Sequence, residues 1–233
     1  MSVPNTGLSL VLLRNVPLFS GLDEVELEKL SRVAGRRSMS RGEQVVRAGE
    51  SADSLLIMLT GRAKVTNFDE EGREIILAWL GPGEFFGEMG LIDDSPRSAT
   101  VIAVENCELL TLGKAEFQRC MQENFQVAQK LMQILVRRLR EADRNIESLA
   151  LLDVYGRVAR LLLDMAERGA DGSLVVPKKV SRQDIAKMIG ASREMVSRVM
   201  KDLQQRGLIE ETDSQLIIHD TAGDIGTEHQ LAE

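Results

Sequence analysis

A short bend between two strand-like runs carries an acidic and a basic side chain in an arrangement that suits a polar ligand. The stretch GEFFGEMGLIDDSPRSATVIA, residues 83–103, places Glu88 and Arg97 around a Gly/Pro-rich turn. An arginine fork beside a hydroxyl (Ser98) suits a phosphate, whereas a carboxylate accepts from hydroxyl groups. Gly87 would let the backbone approach a ligand closely. The pattern predicts a pocket for a molecule with hydroxyls and a phosphate; the alternative is a surface loop with a salt bridge.

A second group of polar side chains lies on one face of a predicted helix near the C-terminus. Residues 180–206 predict a helix-turn-helix, with Ser181 and Ser192 as caps and a turn at Gly190. Ser181 followed by Asp184 resembles a capping box, with Asp in place of Glu. Arginine and glutamate on the second helix suit guanine and cytosine edges, although a solvated surface is the alternative. The polar face holds Arg193, Glu194, Ser197, Arg198 and Lys201, opposite an apolar stripe of Val196, Val199, Met200 and Leu203.

The charge distribution favours a nucleic-acid partner even though the formal net charge is −7. Seven of the 36 acidic residues and none of the 29 basic residues lie after residue 206, so the rest of the chain is neutral. In the neutral part of the chain, residues 178–206 hold eight basic and three acidic residues. This local excess of positive charge would attract the phosphate backbone of a nucleic acid. The basic residues are Lys178, Lys179, Arg182, Lys187, Arg193, Arg198, Lys201 and Arg206.

Residues 114–150 contain neither Gly nor Pro, and a long helix is predicted within this segment. Seven of its apolar residues follow the 4-3 spacing of a heptad seam, along which two helices pack. The alternative is a single amphipathic helix that packs on its own domain. We expect the first half of the helix to pack partly in this way. The regular spacing and the flanking charges favour a homodimer. The seam consists of Ala128, Met132, Leu135, Leu139, Ala142, Ile146 and Leu149.

The helices and strands that are predicted around these polar side chains indicate an α+β fold. Residues 17–34 predict a short helix. Six β-rich runs between Arg36 and Leu112, separated by turn residues, predict a compact antiparallel, jelly-roll-like β-roll. The runs are EQVVRA, SLLIML, AKVTNF, EIILAWL, SATVIAV and CELLTL.

The C-terminal part predicts a smaller, basic domain. Asp153 caps a helix that is expected to end at Gly169, and a strand-poor region follows. Residues 208–219 predict a β-hairpin wing that turns near Asp213–Ser214. The predicted domains are a β-roll over 1–122, a dimerisation helix and hinge over 123–152, a winged helix-turn-helix over 153–220 and a disordered acidic tail over 221–233.

Composition excludes several other classes of protein. No run reaches the roughly 18 apolar residues of a membrane span, so we expect a cytosolic protein without a membrane partner. Cys107 and Cys120 are too few for a disulfide scaffold or an iron–sulfur cluster, and we expect buried thiols rather than a redox switch. Both histidines, His219 and His229, lie near the C-terminus, which excludes a histidine-ligated haem or metal site in the N-terminal half. The sequence has no nucleophile–base pair, metal-ligand cluster or GxxxxGK loop and does not indicate an enzyme.

Four stretches, taken in order, resemble the bacterial cyclic AMP receptor protein (CRP/FNR) family of transcription regulators. They are RGEQVVRAGE with LTGRAKV, GEFFGEMGL with PRSATVIA, LALLDVYGRVARLLLDMA, and SRQDIAKMIGASREMVSRVMKDL, and they span roughly residues 12–219. The resemblance implies a homodimer that is gated by a cyclic nucleotide, binds palindromic double-stranded DNA and contacts RNA polymerase. The alternative is a cyclic-nucleotide-binding signalling adaptor that acts through protein contacts, which the basic surface disfavours.

The resemblance also implies roles for individual residues. Gly87 and Glu88 match the pair that meets the ribose, Arg97 and Ser98 the pair that holds the cyclic phosphate, and Arg138 an arginine that reaches the pocket from the long helix. Because the pocket is expected at a surface bend, we expect Arg97→Ala to leave the fold intact. Further along the chain, Arg193, Glu194 and Arg198 match a base-reading trio for half-sites resembling TGTGA, and Arg182, Gln183 and Ser192 match residues that position the DNA backbone.

Three positions depart from the family pattern. Ala142 and Asp143 stand where the family's cyclic AMP receptors place adjacent hydroxyl residues against the adenine, so the base half of the pocket is not specified. Cyclic AMP is the favoured effector, while cyclic GMP, a cyclic dinucleotide such as cyclic di-GMP, and no ligand at all stay open. Met195 replaces a hydroxyl residue that touches a phosphate, which is expected to weaken DNA affinity without changing sequence choice.

Overall fold

The computed structural model describes residues 6–169, 173–177, 180–212 and 215–219. Lys178 and Lys179 of the basic segment, the predicted turn at Asp213–Ser214 and residues 220–233, which include the predicted acidic tail, lie outside the described residues. The chain divides into two compact units, Met1–Arg138 and Leu139–Glu233.

Two four-stranded antiparallel sheets form the β-roll of the N-terminal unit, as predicted. Their strand orders are β1-β8-β3-β6 and β2-β7-β4-β5. All six predicted β-rich runs contain a strand, and two further strands, β1 and β6, were not predicted. The strands are β1 Gly35–Met39, β2 Gln44–Val46, β3 Ser54–Thr60, β4 Ala63–Phe68, β5 Glu74–Leu80, β6 Phe85–Phe86, β7 Thr100–Ala103 and β8 Cys107–Gly113.

The apolar run of β3 is buried on both of its faces because the first sheet lies between two hydrophobic clusters. Leu55 and Ile57 pack into the cluster shared with the helices of this unit. Leu56 and Met58 point the other way, into the cluster between the two sheets. A strand covered on both faces shows a continuous apolar run rather than an alternating one, which is the pattern of SLLIML.

The helices of the N-terminal unit begin and end at recognisable signals. The segment 17–34 is not one helix: a 3-10 turn, Pro17–Phe19, precedes a helix capped by Asp23, whose carboxylate and that of Glu26 form a reciprocal capping box. The Gly- and Pro-free segment from residue 114 divides at Asn124. The helices are α1 Thr6–Arg14, α2 Glu24–Val33, α3 Met89–Ile92, α4 Lys114–Glu123 and α5 Phe125–Leu151, and α1 was not predicted.

Besides the second half of α5, the described residues of the C-terminal unit form a four-stranded sheet and three helices. Asp153 caps the first helix as predicted, with its carboxylate accepting from the Gly156 amide at 2.8 Å. The expectation of a helix to Gly169 was wrong: α6, Val154–Asp164, ends earlier, and the strand β9, Glu167–Arg168, pairs with β10, Leu174–Val176, instead. The region is not strand-poor either, because β10 joins the hairpin wing in one sheet of order β11-β12-β10-β9. The elements are α6 Val154–Asp164, β9 Glu167–Arg168, β10 Leu174–Val176, α7 Arg182–Ile189, α8 Arg193–Gln205, β11 Ile209–Glu211 and β12 Leu216–Ile218.

Both cysteines are buried as free thiols. Burial raises the pKa of Cys120 to about 11 and also raises the pKa of Cys107. Neither thiol is therefore an activated nucleophile at neutral pH. Among the described helices, none combines the length and the apolar character that a membrane crossing needs.

Candidate ligand pocket and nucleic-acid interface

The bend between β6 and β7 buries two opposite charges. Glu88 is 2% exposed and Arg97 is 7% exposed, although the sequence places them in a polar, Gly/Pro-rich turn. The helix α3 begins directly after Glu88 and turns the chain back towards Arg97. Because a buried charge is unfavourable without a partner, the contacts of each side chain define what the bend can bind.

The partner of Glu88 comes from the long helix. Arg138 Nη1 donates to Glu88 Oε1 at 2.7 Å, and Arg138 Nη2 donates to the Phe85 carbonyl at 2.6 Å. The same guanidinium lies 4.8 Å from the centroid of the Phe85 ring, within cation–π distance. The predicted reach of Arg138 from α5 to the bend is thus present in the geometry.

The guanidinium of Arg97 is held by main-chain carbonyls rather than by Glu88. Nη1 donates to the Gly87 carbonyl at 3.1 Å, and Nη2 donates to the Ser54 carbonyl at 2.8 Å. A longer contact of 3.4 Å joins Nη2 to the exposed carboxylate of Asp53. Desolvation lowers the pKa of Arg97 below its usual value, and the nearby carboxylates oppose this shift. The expected surface bend is therefore wrong for Arg97, whose side chain bridges β3 and the bend.

A glycine is required at position 87 for two separate reasons. Gly87 has a φ of +86°, a backbone conformation that L side chains rarely adopt. A Cβ at this position would also collide with Arg97 Nη1. The glycine thus allows the guanidinium to approach the backbone of the bend.

The structure brings together four of the predicted pocket residues, namely Gly87, Glu88, Arg97 and Arg138. Ser98 follows Arg97 as an exposed residue, and its hydroxyl contacts Met89 Sδ at 3.7 Å. Ala142 and Asp143 are exposed on α5, at least one helical turn beyond Arg138. The main-chain partners on Ser54 and Phe85 were not predicted, because a carbonyl contact leaves no signature in residue type. Asp53 was missed as well.

The long helix α5 has one buried and one exposed apolar face. Val127, Leu131 and Ile134 are buried in the core of the N-terminal unit, as the alternative interpretation of this helix required. The predicted seam lies mostly on another face: four of its five large side chains stay exposed, whereas Leu135 packs partly against the core. Val136, which was not included in the seam, is exposed too. Exposed fractions are 53% for Met132, 49% for Val136, 61% for Leu139, 65% for Ile146 and 49% for Leu149; Ala142 is exposed, and Ala128 and Leu135 are half-buried.

The helix-turn-helix forms where it was predicted, with its capping signals in place. Ser181 Oγ accepts from the Asp184 amide at 3.0 Å, and Ser192 Oγ accepts from the Met195 amide at 3.2 Å. Only half of the capping box forms, because the short Asp184 side chain bonds the Ser181 hydroxyl instead of its amide. Gly190 ends α7 in the left-handed conformation, with φ +63°.

The polar face of α8 is presented to solvent. Arg193, Glu194, Ser197, Arg198 and Lys201 are all exposed, while Val196, Met200 and Leu203 are fully buried beneath them. Hydrogen bonds from its own amide and from Ser192, together with the charge of Arg193, lower the pKa of Glu194. Glu194 therefore stays an acceptor under mildly acidic conditions. Gln183 and Ser192 are also exposed.

Arg182, which was expected to position the DNA backbone, has a protein partner in this structure. Its guanidinium donates to both carboxylate oxygens of Glu211 on β11, at 2.8 and 2.6 Å. Glu211 was not among the predicted site residues, because nothing in local spacing relates a wing residue to the start of α7.

A β-roll with a bend that buries two opposite charges and a winged helix-turn-helix with an exposed polar face on α8 are features of effector-binding transcription regulators. Residues 36–124 match the family model of the cyclic nucleotide-binding domain, and residues 156–223 match that of the Crp-like helix-turn-helix domain. The chain belongs to the CRP/FNR family and is a cyclic nucleotide-binding transcription regulator.

Individual relatives support the same assignment. The chain is 34% identical over 204 residues to the cAMP-activated global transcriptional regulator Vfr of Pseudomonas aeruginosa, covering 84% of this chain and 94% of Vfr. It is 36% identical over 181 residues to the cAMP-activated regulator CRP of Haemophilus influenzae, covering 75% and 80%. The solved structure of the c-di-GMP responsive global regulator CLP of Xanthomonas campestris matches with a TM-score of 0.71 at 28% identity, covering 84% of this chain and 99% of CLP.

Proposed function

We propose that this chain acts as a homodimer whose binding to a palindromic DNA site is switched by a cyclic nucleotide, with cyclic AMP as the favoured effector. The observation that carries the proposal is the burial of Glu88 and Arg97 in one bend of the β-roll without an ion pair between them. A buried carboxylate and a buried guanidinium in one site suit a ligand that is both a hydroxyl donor and an anion.

Arg97 and Ser98 would hold the cyclic phosphate. The guanidinium has five N–H donors, and its contacts to Gly87, Ser54 and Asp53 leave donors for a phosphate oxygen. The Asp53 contact is the longest of the three and involves an exposed carboxylate, so an incoming phosphate would displace Asp53 first. The exposed hydroxyl of Ser98 adds a neutral donor beside it.

Glu88 would accept the ribose 2′-hydroxyl. Arg138 bonds one carboxylate oxygen, Oε1, which leaves Oε2 for the ligand. The ligand and the long helix would then share a single carboxylate. Differential affinity of the ligand for two arrangements of α5 is the physical requirement for a switch, and this shared carboxylate is where such a difference can arise.

The family resemblance alone assigns Ala142 and Asp143 to the base of the nucleotide, and these residue types do not specify one base. Ala142 cannot donate to a base, and Asp143 is a charged acceptor that would favour the exocyclic amino group of adenine or guanine. Two similar relatives are cAMP-activated, which favours cyclic AMP. The similar regulator CLP is c-di-GMP responsive, which makes cyclic di-GMP the second candidate.

The exposed seam of α5 and the reading face of α8 would act together. A seam with four large apolar side chains about half exposed or more suits a second copy of the same helix. Two copies would place their α8 helices about one turn of DNA, ~34 Å, apart on a palindrome. Residues 1–122 would then hold the effector, 123–152 the dimer contact and 153–220 the DNA, with RNA polymerase as a further partner.

The base-reading assignment has a direct test. Glu194→Ala is expected to remove about 1–3 kcal/mol of discrimination at one base pair of each half-site, because Glu194 would accept from a cytosine amino group. Lys201→Ala, on the same exposed face, is expected to weaken all sequences equally. A competition assay over all single substitutions of a TGTGA half-site distinguishes the two, and unchanged preference at every position contradicts the assignment.

Calorimetry tests the effector itself. Cyclic AMP, cyclic GMP and cyclic di-GMP are titrated into the full chain and into the Arg97→Lys variant, which keeps the charge but loses the fork. We expect saturable binding of cyclic AMP to the native chain and much weaker binding to the variant. Preferential binding of cyclic di-GMP supports the second candidate, and binding of none of the three contradicts the pocket.

A further inference from the structure

A single carboxylate joins three elements of the winged helix. Glu211, at the end of β11, accepts a two-pronged bond from Arg182 at 2.8 and 2.6 Å. It also accepts from Gln204 Nε2 of α8 at 3.1 Å. The side chains of Arg182 and Glu211 are only 25% and 14% exposed. The hydrogen bond to Glu211 is the main cause that raises the pKa of Arg182 above its usual value. The pair is thus firmly built and partly shielded from water.

The position of the pair matters because Arg182 is the first residue of α7. In a helix-turn-helix the first helix crosses the phosphate backbone, and its N-terminus attracts phosphate through the amide dipoles. An unpaired arginine here would add a charge-assisted phosphate contact. With both carboxylate oxygens on its fork, Arg182 forms a neutral pair with Glu211 and offers the phosphate no net charge.

We propose that Glu211 is a positioning residue that withholds Arg182 from the DNA backbone and so weakens binding to every duplex by about one phosphate contact per domain. This inference rests on the proposed DNA-binding role of the winged helix. Phosphate contacts dominate sequence-independent binding, whereas base contacts carry discrimination. Neutralising Arg182 therefore lowers non-specific affinity while Arg193, Glu194 and Arg198 keep their reading contacts.

The matched control is the neighbouring residue on the same strand. Glu210→Gln makes the same charge change as Glu211→Gln, but Glu210 is exposed and faces His219 at 3.8 Å rather than Arg182. Affinity of the full chain, with and without cyclic AMP, is measured against salt concentration on a TGTGA palindrome and on a duplex lacking it. For Glu211→Gln we expect binding to both duplexes to tighten by roughly five- to tenfold per domain at 0.1 M salt, and the log–log slope to steepen by about 0.9 per domain.

Equal effects of Glu210→Gln and Glu211→Gln would overturn the proposal, since net charge would then explain both. The double variant R182Q/E211Q supplies an independent test. Because it removes both charges together, it can be used even if Glu211→Gln alone fails to fold. We expect its affinity within about twofold of the native chain and an unchanged slope; a slope shallower by about 0.9 per domain means that Arg182 already contacts phosphate and overturns the proposal. A native chain that binds neither duplex overturns the proposed function as well, whereas native binding with an unaltered Glu211→Gln slope overturns this inference alone.

Discussion

Arg138 Nη1 on the long helix lies 2.7 Å from Glu88 Oε1 in the bend of the β-roll. The contact joins a side chain that is 33% exposed to a carboxylate that is 3% exposed. The carboxylate therefore depends on a helix that is remote from it in sequence, and that helix carries exposed apolar seam residues on both sides of the same arginine. The hydrogen bonding of Glu88 is in this way tied to α5.

Removing Arg138 should leave Glu88 buried without its partner. Arg138→Ala is expected to lower the free energy of unfolding by about 1–3 kcal/mol, because an unpaired buried carboxylate loses its compensation. Chemical denaturation of the full chain measures this. Arg140→Ala, an exposed arginine on the same helix, is the control and should cost under about 0.5 kcal/mol. Equal stability of the Arg138→Ala and Arg140→Ala variants contradicts the role of the Arg138–Glu88 pair. The double variant E88Q/R138A should recover part of the stability that Arg138→Ala loses.

Arg97 should contribute to the fold as well as to the ligand. Arg97→Ala removes two hydrogen bonds from a buried guanidinium to the Gly87 and Ser54 carbonyls and is expected to cost about 2–4 kcal/mol of stability. This replaces the expectation from the sequence that the fold stays intact. Arg36→Ala, on the exposed side of β1, serves as the control in the same denaturation experiment. A midpoint for Arg97→Ala that matches the control contradicts the buried bridge.

A comparison of two glycines with similar φ angles, Gly87 and Gly72, separates the effect of backbone strain from that of a steric collision. Gly87 and Gly72 have φ values of +86° and +78°, but a Cβ meets Arg97 Nη1 at the first and nothing within 4 Å at the second. Gly72→Ala should show backbone strain alone, about 1 kcal/mol, and Gly87→Ala should cost about 1–3 kcal/mol more. Gly87→Ala should also weaken cyclic nucleotide binding in calorimetry. Equal stability losses in the two variants contradict the close approach of Arg97.

The seam of α5 should control the oligomeric state. The double variant L139D/I146D places charges on two side chains that are 61% and 65% exposed, and it is expected to shift a dimer towards the monomer at micromolar concentration. Val25→Asp is the control, since Val25 is 60% exposed on α2. Sedimentation velocity measures all three proteins. A dimer that survives the double variant, or a native monomer, contradicts the seam.

Local patterns predicted the elements whose signals lie within a few residues of one another. The runs AKVTNF and EIILAWL coincide with β4 and β5, since strand-forming residues end there at turn residues. The caps at Asp153, Ser181 and Ser192 were predicted for the same reason, because a cap needs only the next three amides. The charged groups of the bend were predicted from the stretch itself, whereas Arg138 was predicted only from the family resemblance.

Long-range pairing explains what the sequence did not predict. The strand β1, GRRSM, has no apolar alternation and forms because β8 offers an edge to pair with. The expected end of α6 at Gly169 failed because pairing of β9 with β10 outweighed helix propensity. The burial of Arg97 and its bonds to main-chain carbonyls depend on β3, which lies more than forty residues earlier. The Glu211 contact to Arg182 is of the same kind, since it joins residues 29 positions apart.

The most direct test of the central claim is the affinity of the full chain for a TGTGA palindrome, measured by fluorescence anisotropy with and without cyclic AMP. Coupling between a ligand site and a DNA site is typically worth about 5- to 150-fold in affinity. We predict a gain in that range for the native chain and no gain for Arg97→Lys. Tight, sequence-specific binding that is indifferent to cyclic AMP, cyclic GMP and cyclic di-GMP alike would contradict gating by a cyclic nucleotide.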